Sequence, residues 1–187
     1  LRLILLSELE HFCARYPHVR IRLLNYSAPQ AVKALENNII DFAIVSTPVL
    51  VHKHMHQEKL VSYDEILLGG TKYKQFAQQV HYLEDISEMP LIGLCEGSST
   101  HTHYSRFFME HDLPFEPDME AAMTDQVLPM ITHNLGIGFY PKSLALEAIE
   151  KELVFPIELT EPLPNRDVVV ILSLIHISEP TRLRRIS

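Results

Sequence analysis

Short apolar runs bounded by polar or turn residues recur along this chain: Asp41-Phe42-Ala43-Ile44-Val45, Ile66-Leu67-Leu68-Gly69-Gly70, Pro90-Leu91-Ile92-Gly93-Leu94 and Ile137-Gly138-Phe139. Runs this short suit a strand and are too brief for a helix. Between them lie stretches of helical length, and the alternation predicts an α/β protein. The last run sits in Thr132-His133-Asn134-Leu135-Gly136-Ile137-Gly138-Phe139-Tyr140-Pro141. A helix-period stretch there meets a turn, then a very short strand, then a proline suited to opening the next helix. Glycine at 136 and 138 admits a positive φ or a close backbone approach.

The intervening segments fill in the order. Residues 5–16 read as an amphipathic helix with Leu5, Leu6, Leu9, Phe12 and Cys13 on one face. Tyr16-Pro17 ends it, because the residue before proline is pushed out of the helical region. Val19, Ile21 and Leu23 alternate as a strand, and Ser27 is placed to cap a helix over 30–37. Residues 41–45, apolar almost throughout, read as a buried parallel strand, which makes 19–45 one right-handed crossover unit. Further on, helices are expected over 101–111, 125–132 and 143–151, and strands over 119–123, 154–159 and 168–171. Two small lobes joined by extended segments fit this order: 1–68 as the first, and 69–171 as the second with its crossover strands near 66–74 and 154–160.

Composition narrows the functional classes. The chain has 187 residues, 47% hydrophobic and 21% charged, which allows a full core without a membrane span. Two cysteines, Cys13 and Cys95, are too few for a disulfide framework, so reduced thiols and a cytoplasmic setting are expected. The formal charge of −8 opposes direct contact with nucleic-acid phosphates. From 172 onward the pattern changes to Leu-Ser-Leu-Ile-His-Ile-Ser-Glu-Pro-Thr-Arg and a basic end. One back-translation of that stretch resembles a sequencing-library adapter, so 172–187 reads as a non-native tail. Without it the body is more acidic still.

Five pieces in register carry a resemblance. They are LEHFCARYPHVRIRL, Ser27 before AVKALENNIIDFAIV, PLIGLCEGSST, and TDQVLPMITHNLGIGFYP, the second contributing both its cap and its strand. Together they resemble the effector-binding domain of LysR-type transcriptional regulators. The resemblance implies a two-lobed α/β fold of the type II periplasmic-binding-protein kind, closing on a small effector. It also implies an N-terminal winged helix-turn-helix outside this sequence as the DNA contact, homodimers or homotetramers, and no cofactor, catalysis or membrane partner. A solute-binding protein of a membrane transporter is the alternative on the same fold.

Elementary physics points to the same cleft. Ser27, Ser98, Ser99 and Thr100 open helices, where free N–H groups and the positive dipole end favour an anion. Thr47 follows the 41–45 strand at the edge where open α/β sheets bind ligands. The resemblance maps Ser27, Thr47 and the Gly97-Ser98-Ser99-Thr100 turn onto the effector cleft, with Thr124 at its rim. Relatives commonly place a basic residue soon after such a turn, whereas His101 and His103 follow here and Arg106 comes a turn later. A carboxylate would therefore meet hydroxyls, amides and a histidine instead of a fixed guanidinium.

Enzymatic readings are weaker. His52, His54 and His56 fall on one face if extended, yet no acidic or cysteine partner stands at metal-site spacing, and a solvated loop is expected. No Gly-x-Ser-x-Gly elbow is present, and Gly136-x-Gly138 lacks the remainder of a dinucleotide fingerprint. Catalytic and metal-ligating residues are accordingly assigned to none.

Overall fold

The computed structural model describes residues 2–173, and within it helices and strands follow in the order α1 (Arg2–Arg15), α2 (Ala28–Glu36), β1 (Phe42–Ser46), β2 (Met55–Tyr63), β3 (Glu65–Gly70), β4 (Val80–His81), α3 (Leu83–Ser87), β5 (Leu91–Leu94), α4 (Ser99–Met109), β6 (Met119–Ala121), α5 (Thr124–Thr132), β7 (Ile137–Pro141), α6 (Lys142–Glu150), β8 (Val154–Leu159) and β9 (Arg166–Ser173). They form two sheets. The first has the order β1-β9-β2 and the second β4-β8-β3-β7-β5-β6.

The larger sheet is a filled sandwich. On one face Phe108, Leu83, Ile86 and Tyr104 pack against Leu67, Phe139 and Ile157. On the other, Val127, Ile131, Ala145 and Ala148 pack against Leu68, Ile92 and Val154. Alternate residues of β3 thus serve opposite cores, as the period of a strand requires. The smaller sheet has one dry face, where Ala31, Val32 and Leu35 of α2 cover Ala43, Val45, Val169 and Ile171.

Sheet membership departs from the expected division at two strands. β3, placed at the end of the first lobe by the sequence, lies in the second sheet between β7 and β8. β9, placed in the second lobe, is the centre of the first sheet, antiparallel to both β1 and β2. Its near-continuous apolar run, Val168 to Ile171, matches that central place. The chain therefore passes between sheets twice, at 63–65 and again between β8 and β9. Leu172 and Ser173 continue β9, with Leu172 opposite Phe42 and Ser173 buried, so the strand runs past the expected start of the tail. The rest of that stretch, 174–187, lies outside the described residues.

Three local expectations also differ. Residues 41–45 form a strand, but an antiparallel one, with Ala43 and Val45 buried and Phe42 half exposed: its apolar character serves a single face. The 19–23 segment pairs with no strand among the described residues, and its Val19, Ile21 and Leu23 are exposed, as are Phe12 of α1 and Tyr16. Alternation becomes buried structure only where a sheet receives it, and β1 is the edge of the first sheet. Finally, the histidine-rich loop runs into β2, whose residues 56–62 are all exposed and so carry no apolar alternation to read.

The glycines of the 132–141 segment act through close approach. The positive φ belongs to Asn134, at 59°, which ends α5 in the left-handed region. A Cβ on Gly136 would stand 2.5 Å from the Pro90 carbonyl oxygen. That is backbone against backbone, with no flexible side chain to yield. Gly136→Ala is expected to lower stability by about 1–3 kcal/mol, the usual range for overpacking, measured as a fall in the urea midpoint with an unchanged slope.

Candidate functional site

The start of β9 puts a charge where the two sheets meet. Arg166 is 2% exposed, and its guanidinium donates from Nε to the Thr47 carbonyl at 2.8 Å. Nη1 donates to Glu65 Oε1 at 3.1 Å and to Thr100 Oγ1 at 3.0 Å. The Glu65 side chain is as buried as that of Arg166, and its second carboxylate oxygen accepts from the Tyr104 hydroxyl. Tyr63 lies across the guanidinium, with the Arg166 Cζ 5.8 Å from its ring centroid. One cation thus joins the end of β1, the start of β3 and the first turns of α4. Burial, reinforced by Glu65, pushes the Tyr104 hydroxyl well above the usual phenol range, so it remains a donor at every physiological pH.

The helix start is organised by its own residues. Ser98 caps α4 by accepting from the His101 N–H at 3.1 Å. The N–H groups of Ser99 and Thr100 are those that an α-helix leaves without an intrahelical partner. Beside them a cavity of about 10 Å³ is lined by Glu65, Gly93, Thr100, Tyr104, Phe115 and Thr124, among others. It has room for about one water molecule. A metabolite-sized ligand needs several hundred cubic ångströms, so binding requires the walls to part.

Among the expected site residues, Thr100 and Thr124 line this cavity together. Thr47 reaches it through Arg166, and its hydroxyl accepts from the Asp167 N–H at 3.0 Å. Ser98 is occupied as a cap. Ser99 is half-buried in the first turn of α4. Ser27 opens α2, where its N–H donates to Gln30 Oε1 at 2.9 Å, and it is not among the cavity's lining residues. His52 pairs with Glu36 at 2.9 Å and stacks on His54. The guanidinium that sequence order left out of the site is supplied by Arg166, on a strand far along the chain.

His103 completes the junction. It lies one turn after Thr100 on the same face of α4, and its ring stands edge-on to that of Tyr104, with 5.1 Å between centroids. Burial first, then the Arg166 charge, lowers its pKa to about 4, with Glu110 opposing weakly.

Comparison with known proteins decides the family. A model of the LysR substrate binding domain matches residues 2–173. The chain belongs to that family. It is 22% identical over 144 residues to the HTH-type transcriptional regulator GltR of Bacillus subtilis (strain 168), covering 77% of this chain and 47% of that protein. The chain therefore spans about half the length of the curated relative it matches. Its structure resembles the CcmR regulatory domain of Synechocystis PCC6803 in complex with 2-PG, with a TM-score of 0.79 at 15% identity, covering 91% of this chain and 81% of that one. It also resembles the regulatory domain of MetR, a LysR family regulator from N. meningitidis, with a TM-score of 0.75 at 15% identity and coverages of 94% and 80%. The fold of this LysR substrate-binding domain is thus the α/β, type II periplasmic-binding-protein kind. Membership also favours the regulatory reading over the transporter one.

Two tests follow for this LysR domain. Glu65→Gln keeps the shape and leaves a buried guanidinium without its counter-ion, so stability is expected to fall by about 3–5 kcal/mol, read from chemical denaturation. His103 binds its proton less readily folded than unfolded, so its contribution is complete above pH 6.5 and is lost as pH falls from there towards about 4. The groups facing it are Arg166, Tyr104 and Glu110. His103→Phe is expected to flatten the loss of stability across that window, while carboxylate titration below it persists.

Proposed function

We propose that the chain is the effector-sensing module of a DNA-binding transcription regulator. The observation that carries this reading is the family match over residues 2–173, together with a polar junction placed between two sheets. A small molecule would enter between the sheets and contact Thr47, Ser99, Thr100 and Thr124, with Ser27 and Ser98 at the helix starts beside them. DNA would be contacted by an N-terminal domain outside this sequence, in a cytoplasmic homodimer or homotetramer. Among the described residues no helix is long and apolar enough to cross a membrane. The division into a first lobe, a second lobe and crossover strands is part of the same proposal, with β9 assigned to the first lobe.

The mechanism is a shift of population. A ligand moves the equilibrium between open and closed arrangements only by its difference in affinity for the two. Arg166 gives that equilibrium a physical form, because a single guanidinium holds the Thr47 carbonyl at the first sheet and the Thr100 hydroxyl at the second. A ligand that spreads the cavity must replace or re-route those bonds, and the change is transmitted along β3 and β9 to the rest of the molecule.

The test is a thermal-shift screen of the purified chain against a metabolite library, followed by calorimetry on each hit. Thr100→Val is expected to weaken a hit by about 1.5–3 kcal/mol, the value of a hydrogen bond to a charged group. A full-length protein whose binding to its own promoter fragment is unchanged by every hit would remove the regulatory reading.

A further inference from the structure

We draw no further inference here: the strongest candidate, the surface patch of exposed apolar residues Val19, Ile21 and Leu23 on the segment that Arg22 ties to the Ile39 carbonyl ahead of the edge strand β1, carries nothing because nothing in the structure shows what covers it.

Discussion

A guanidinium taken out of water must find a counter-ion and most of its hydrogen bonds inside the protein, and at the meeting of the two sheets that requirement sets the positions of everything nearby. Arg166 meets it with one carboxylate, one backbone carbonyl and one hydroxyl, drawn from β3, the end of β1 and α4. Those three groups are separated from Arg166 by 101, 119 and 66 residues. No local preference brings them together. The two sheets do, by delivering the ends of β3 and β9 to one place while α4 lies across them. Replacing such a pair with apolar residues is often neutral or stabilising in general, whereas removing one member is severe. A buried pair here is therefore better understood as specifying how the two sheets sit than as a source of net stability.

The aromatic layer behind the pair makes that specification firm. Tyr104 stacks on Phe139 at 4.1 Å between ring centroids and presents its hydroxyl to Glu65. Phe108, fully buried a turn later, meets Phe115 and Phe139 edge-on. The helix that carries Ser99, Thr100 and His103 is thus fixed against the larger sheet by its apolar side, and its polar side faces the junction. In the proposed sensor, rigid placement on one side and a small cavity on the other would turn a ligand's arrival into movement of one sheet against the other.

Much of this was legible in the sequence, and the rest was hidden for identifiable reasons. The runs at 66–70, 90–94 and 137–139 announced strands of the larger sheet because each is buried on both faces and therefore apolar throughout. The turn at 97–100 announced a helix start, and Thr100 and Thr124 meet at one cavity. β2 escaped notice because its side chains from His56 to Ser62 are exposed, leaving no alternation to detect. Residues 19–23 misled for the opposite reason: the alternation is there, but no strand pairs with it among the described residues. Arg166 carries no motif of its own in the sequence. Its signal, a single arginine separated by Asp167 from Val-Val-Val-Ile, is informative only alongside Glu65, which directly precedes the apolar Ile-Leu-Leu. A charge of each sign at the head of two crossover strands was the available clue.

That pairing bears on how the domain can change shape. Glu65 and Arg166 both stand where the chain has just crossed between sheets, so their bond ties one crossover strand to the other. An opening motion that bends both strands together can keep the ion pair intact while breaking only the weaker hydroxyl and carbonyl contacts to Thr100 and Thr47. Separating the charges in a buried site would cost several kilocalories per mole, but exchanging the guanidinium's bond to a neutral acceptor for one to a ligand oxygen costs little. In the proposed sensor the adjustable bonds would lie on the two sides of the cleft and the stiff bond on its axis. A small molecule with the right oxygen could move the former without disturbing the latter, which is what a hinge with a modest energetic gap between its positions requires.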